Sequence, residues 1–298
     1  MTDDLLGIGL ATLAAVLIAT QAVCIRRGSR TGSTTNALVV VLLVNVVLLV
    51  PGALIVHYPQ YSLTLPAIVA FAAAGVVGTL FGRACYYASI ERIGASRTEP
   101  IKASQPLHAT LIAVVLLGEF VTPGHLLGII AIVVGVAWIS RQTIRHQRAA
   151  SADRSWLWLV FPLGAAFLYG VEPTLATIGL DEGAPLLVGL ALKTVAAVLG
   201  AAAYLRWQGV SVTLTPLRRG ATPWYLLAGI ANSTFLLSYY AALDVSRVVV
   251  VVPIVQASPL VIALFSWLFL PRLEQVTWQV VAAAMLIVAG AGTVTVYS

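Results

Sequence analysis

The segment Tyr86-Tyr87-Ala88-Ser89-Ile90-Glu91 returns 153 residues later as Tyr239-Tyr240-Ala241-Ala242-Leu243-Asp244. Pro100-Ile101 then matches Pro253-Ile254, and Pro106-Leu107 matches Pro259-Leu260. After a slip of two residues, Glu119 and Thr122 match Glu274 and Thr277, and Ile132-Val133-Val134-Gly135 matches Ile287-Val288-Ala289-Gly290. The chain is therefore two copies of one unit, each about half its length, and whatever it folds into must be built twice.

Both copies are almost wholly apolar. The chain of 298 residues is 60% hydrophobic and 9% charged, with mean hydropathy +0.97. Soluble domains carry about 25% charged residues, so this chain cannot cover a soluble surface and lipid must be its solvent. Apolar runs long enough to span a bilayer as helices lie at 5–25, 36–56, 66–90, 97–118, 124–141, 156–179, 185–205, 222–243, 246–268 and 276–297. They are too long, and lack the alternation, for barrel strands. The fold class expected is an all-α integral membrane protein, with ten transmembrane helices as two inverted five-helix repeats. The units run 1–141 and 156–298, joined by a basic linker at 142–155. Five spans per copy is an odd number, so the second copy enters the bilayer upside down. The start Met1-Thr2-Asp3-Asp4 lacks the positive charge of a cleavable leader, and the first run reads as a span.

Cys24 and Cys85 lie inside apolar runs and read as small packed hydrophobes. No phosphate-binding Gly-rich loop occurs, and no His or Cys cluster of metal-site spacing. Neither a cofactor nor an enzyme activity is expected. The net charge of +6 does not point to nucleic acid, because the basic residues sit in short loops. The partners expected are the bilayer, a small-molecule solute and a coupling ion.

Charges inside spans are costly and normally face a partner or a wet cavity. Glu172 and Lys193 lie on the two arms of one hairpin, about 10 and 12 Å from the same loop at 1.5 Å per residue, so they can pair. Pro173 removes a backbone donor beside Glu172, and a broken helix is expected there. The plain alternative is an ion pair that only fixes the hairpin. Arg83, Glu99 and Lys102 form a second charged group in the opposite half of the membrane, where the two cations could instead snorkel to headgroups. Gln21 matches Glu172, and Asn45 matches Lys193, so one copy is neutral where the other is charged. Asn232 is a polar residue within a span. Tyr86 and Tyr239 belong to the repeated tyrosine pair, which reads either as an interfacial belt or as cavity lining. A duplicated membrane unit marks many secondary transporters, whose site lies between the repeats. On that reading all ten residues are candidates for substrate binding or gating.

The stretch Ala84-Cys-Tyr-Tyr-Ala-Ser-Ile-Glu-Arg-Ile-Gly-Ala-Ser-Arg97, followed by Pro106 and Leu116-Leu117-Gly118-Glu119, resembles the EamA family of the drug/metabolite transporter superfamily. The second copy carries Leu270-Pro271-Arg272-Leu273-Glu274 where the first has Leu-Gly-Glu. The resemblance implies a ten-helix basket in the cell membrane that transports or exports metabolites such as amino acids. Efflux of lipophilic cations or drugs is the alternative, and a receptor or assembly factor the non-transport one. It also implies termini in the cytoplasm, and here the charges disagree. Loops 1–2, 3–4, 5–6, 7–8 and 9–10 hold 13 Lys and Arg, whereas the opposite loops and the termini hold only Arg247.

Cytoplasmic loops carry the positive excess, so both termini are expected outside. A reporter fluorescent only in the cytoplasm, fused after Ser298, should stay dark in an intact, membrane-inserted fusion. A bright fusion would reject this orientation.

Overall fold

A computed structural model describes residues 2–28, 31–32, 34–93, 101–144, 156–207, 220–269 and 278–297. Every regular element among them is helical. The first half runs α1 (Thr2–Gly28), α2 (Thr34–Val56), α3 (Leu65–Ala74), a π-helical stretch (Gly75–Gly82), α4 (Arg83–Ile93), α5 (Gln105–Leu117) and α6 (Pro123–Ile144). The second half runs α7 (Val160–Asp181), α8 (Leu186–Trp207), α9 (Thr222–Val245), α10 (Val248–Val255), α11 (Ser258–Phe269) and α12 (Trp278–Val296), with a 3₁₀ turn at Trp156–Leu159 before α7. Six of these segments are long and apolar enough to cross a membrane: Leu5–Gly28, Val39–Val56, Leu65–Tyr86, Leu157–Asp181, Leu186–Ala203 and Thr222–Val245. Shorter apolar helices fill the other expected runs, at Gln105–Leu117, Pro123–Trp138, Val248–Ile262 and Met285–Val294. Large apolar side chains such as Val47, Ile55, Val115, Leu127 and Val288 point outward, as they must where the surroundings are lipid.

The two copies pack through each other. On one side, Gly7 faces Ser246 and Gly28 faces Tyr225, so α1 and α9 run antiparallel. On the other, Gly179 faces Phe71, Gly78 faces Glu172 and Gly82 faces Tyr169, so α7 and the α3–α4 helix also run antiparallel. In each copy, the first helix thus packs on the third helix of the other. The same exchange holds for the second helices. Val44 of α2 lies against Gly229 of α9, and the backbone of α8 at Lys193 lies against Gly75. The repeat mates α6 and α12 pack on each other, with Gly124 facing Tyr297, Gly128 facing Gly290 and Thr293, and Gly135 facing Ala283 and Ile287. They too run antiparallel.

Two breaks interrupt the bundle at matched positions. Before α5, the Ser104 N–H bonds the Ile101 carbonyl, and the Leu107 N–H bonds the Ser104 carbonyl. Between α10 and α11, the Ala257 N–H bonds the Ile254 carbonyl, and the Leu260 N–H bonds the Ala257 carbonyl. The repeated prolines explain the match. Pro106 and Pro259 each sit just inside the start of the second helix, where a missing N–H costs nothing. The expected break at Pro173 does not occur, since α7 continues through it. The carbonyl that Pro173 leaves without its helical donor is that of Tyr169, four residues back. Gln105 Nε2 donates to it at 3.3 Å, so the helix has no need to open. Glu99, Pro100, Glu274 and most of the 142–155 linker lie outside the described residues.

Gly118 takes a left-handed conformation, φ 67°, and turns the chain so that Glu119 reaches the other copy. Its carboxylate accepts the Val248 and Val249 N–H groups at 2.8 and 2.9 Å, capping α10. Burial pushes the Glu119 carboxyl above its ordinary range, against the lowering effect of these two bonds. Behind the cap, Val248 to Val255 are all buried, so this end of the bundle is packed shut.

The α6–α12 seam depends on bare backbone. A Cβ on Gly128 would stand 2.7 Å from the Gly290 carbonyl oxygen, whereas one on Gly292 would meet nothing within 4 Å. Overpacking of this kind costs about 1–3 kcal/mol. Gly128→Ala should lower the apparent Tm of the detergent-purified protein by several degrees, and Gly292→Ala should leave it unchanged or higher. Equal effects from the two would show that the seam has slack.

A polar cavity between the two copies

The Glu172 carboxylate of α7 and the Lys193 ammonium of α8 form an ion pair. Their side chains are only 15% and 6% exposed, so neither reaches the bilayer surface. Tyr240 Oη donates to the same carboxylate oxygen, Oε1, at 3.1 Å, and the Lys193 ammonium lies 4.6 Å above the Tyr240 ring. Gly78, within the π-helical stretch, makes room for the carboxylate, which would collide with any Cβ there. Such a wider turn often marks a functional position in a helix. Two contacts, from Lys193 and Tyr240, therefore hold the carboxylate, and the bare backbone of Gly78 gives it room.

The corresponding junction of the other half carries no charge. There Asn232 Nδ2 donates to Gln21 Oε1, Asn45 Nδ2 donates to Asn232 Oδ1, and Ser233 Oγ donates to Asn45 Oδ1, each at 2.8 Å. Asn45 and Ser233 are almost fully buried. The ladder ties α1, α2 and α9 together, as the ion pair with its Tyr240 bond ties α7, α8 and α9.

Both junctions open on one cavity of about 360 Å³. Gln21, Asn45, Arg83, Tyr86, Lys102, Glu172, Lys193, Asn232 and Tyr239 all line it. The sequence places the two charged groups in opposite halves of the membrane; the structure gathers their described members around a single space. Glu99 lies outside the described residues. Tyr239 is nearly buried and stacks on Phe235 with ring centroids 5.6 Å apart, so it is no interfacial anchor. Lys102 sits over the rings of Tyr86 at 4.9 Å and Tyr169 at 5.9 Å. The lining lies toward the loops that follow α1, α4 and α8, away from the Glu119 cap.

Sequence reading missed three participants, Gln105, Gln256 and Tyr169. Gln105 and Gln256 stand at the two helix breaks and hydrogen-bond each other across the cavity. A polar residue at each repeated Pro-x₅-Pro break was the available signal. Tyr169 carried none, while Tyr240 was read within the repeated tyrosine pair and the structure brings it to the Glu172 carboxylate. His108 is not in the lining; its ring Nδ1 pairs with the Ser104 carbonyl at 3.0 Å and its edge meets Phe167. Among the described residues no group of three or more His, Cys, Asp or Glu could hold a metal ion.

No curated protein matches the chain. A solved structure described only as "Crystal structure of protein" superposes with TM-score 0.76 over 97% of this chain and 96% of the other, at 14% identity, a likeness of fold alone. A model of the EamA-like transporter family matches twice, over residues 5–141 and 156–296. Together these matches cover nearly the whole chain, one to each copy, and it belongs to the EamA-like transporter family within the drug/metabolite transporter superfamily.

Proposed function

We propose that the chain is a secondary transporter, working as an exporter of a small polar metabolite such as an amino acid. Its architecture on this reading is ten spans in the cell membrane, as two inverted repeats that take turns in opening. The observation that carries the proposal is the cavity, which is walled by both copies and flanked by two matched helix breaks. The antiparallel packing of the repeat mates α6 and α12 supports the inversion. Broken helices at the midplane between repeats are the usual setting of a transport site, because freed backbone groups are tolerated only where protein or a wet cavity satisfies them.

The cavity lies toward the Arg-rich loops, and the opposite end is closed by the Glu119 cap and the Val248–Val255 packing. With the positive loops in the cytoplasm, this is the state that receives solute from inside. Rocking the copies would close the Arg-rich side and release the cap on the other. Either an ion gradient or the gradient of the solute itself would drive the cycle. Glu172 and Lys193 act as the gate of one junction, and the Gln21–Asn232–Asn45–Ser233 ladder as the neutral pivot of the other.

The test uses a Cys24→Ser/Cys85→Ser background with Thr79→Cys in the cavity wall. A membrane-impermeant thiol reagent should label this position from both sides of the membrane. Lys193→Ala should abolish transport and restrict labelling to one side. Removing one member of a buried pair costs about 3–5 kcal/mol, so Glu172→Gln/Lys193→Met serves as a folding control and should also fail to transport. Normal transport by either variant, or unchanged labelling, would reduce the pair to a structural clamp.

A further inference from the structure

We infer that Gln256 sets the specificity of this cavity, its Oε1 accepting a hydrogen bond from an N–H donor of the solute, the ammonium of a primary amine. This rests on the transport reading above and deepens its substrate class. Pro173 leaves the Tyr169 carbonyl without its helical donor, and a carbonyl oxygen can only accept. The end of the Gln105 amide that meets it, at 3.3 Å, is therefore the donating one, Nε2. The other end, Oε1, faces Gln256, and it too can only accept. Gln256 must then turn its own Nε2 to Gln105, which leaves its Oε1 over. Partners decide which way an amide points, and here one backbone carbonyl decides for two amides in series.

Gln256 is partly buried and lines the cavity. Among the described residues its Oε1 has no hydrogen-bond partner. A solute that covers this oxygen without donating to it leaves an acceptor unmet, at a cost in affinity. The Gln21–Asn232–Asn45–Ser233 ladder imposes no such fixed demand. It ends on the Ser233 hydroxyl, which can give or take a hydrogen bond, so its bonds can reverse together. The Gln105–Gln256 pair ends on a carbonyl and cannot. Ile18, Leu236 and Phe235 supply an apolar wall for an aliphatic body, and about 360 Å³ suits a small solute.

Leucine and its N,N,N-trimethyl betaine test this. They share body, carboxylate and charge, but only leucine carries N–H donors. Each is titrated into the full-length purified protein, where a ligand of the folded state raises the Tm. Leucine should bind about tenfold tighter or more, the range of one hydrogen bond to a charged group. Gln256→Met should remove most of that difference. Met keeps the bulk of Gln, so a preference due only to the size of the trimethyl group would survive the change. Gln105 is a positioning residue. Gln105→Met frees the Gln256 amide to turn, and it should narrow the leucine-to-betaine ratio as well as lower the Tm. A merely structural role would lower the Tm and leave the ratio. Equal binding of the two probes, no binding of leucine, or an unchanged ratio in either variant would overturn the inference. The first two outcomes need no variant to fold. Binding here needs no transport, so the two readings fail separately. Equal binding with two-sided labelling of Thr79→Cys removes this assignment alone. Selective leucine binding with labelling from one side only removes the transport reading.

Discussion

In hydrocarbon, a backbone carbonyl that loses its helical donor has no water to turn to, and each unmet group costs several kcal/mol. That constraint organises the centre of this molecule. Pro173 frees the Tyr169 carbonyl, and the Gln105 amide meets it. Gln105 stands at the start of α5 because the chain breaks just before it, and its carbonyl oxygen is in turn met by Gln256 at the other break. One glutamine thus joins a proline in α7, the break before α5 and the break between α10 and α11. At each of these three places a helix lacks part of its regular hydrogen bonding, by a proline within α7 or by a break in the chain's helix, and all border the cavity. The polar space is where the fold places backbone that lipid would not tolerate.

Duplication explains why such an arrangement is stable. The contacts of the first half are repeated with the roles of the copies exchanged: α1 on α9 as α7 on the α3–α4 helix, and α6 on α12 as its own counterpart. Small residues carry each crossing, because association in lipid depends on close van der Waals contact rather than on expulsion of water. The Glu119 cap on α10 shuts one end.

Much of this was legible in the residues. The apolar runs marked where most helices lie, though not the breaks within the runs 97–118 and 246–268, the repeat predicted two related halves, and the cost of charge in lipid singled out Glu172, Lys193, Arg83 and Lys102. The family motif was readable because Tyr86-Tyr87, Pro106 and Gly118-Glu119 are local. Other features depended on partners far along the chain. Helix continuity at Pro173 turned on Gln105, 68 residues away by subtraction of their numbers. Depth counting put Arg83 and Lys102 in the other half from Glu172, yet all three line one cavity. The π-helical stretch at Gly75–Gly82 had no sequence signal beyond its glycines. Its role appears only once the Glu172 carboxylate is seen against Gly78. The tyrosine pair carried two readings, and only packing against Phe235 and Glu172 separates them.

The asymmetry between the two junctions is the feature that pure duplication does not require. Gln21 and Asn45 need nothing from outside, because with Asn232 and Ser233 they form a closed neutral chain whose parting exposes only dipoles. Glu172 and Lys193 form a charged contact whose parting in the same surroundings would leave two ions in a wall that stabilises neither. Opening at the charged junction therefore requires water or a solute at the moment of separation, whereas opening at the neutral one does not. A chain that keeps one related junction neutral and the other charged would make the two steps of the proposed rocking cycle energetically unequal. That inequality would tie one of the steps to occupancy of the cavity, which a symmetric pair of neutral junctions could not do.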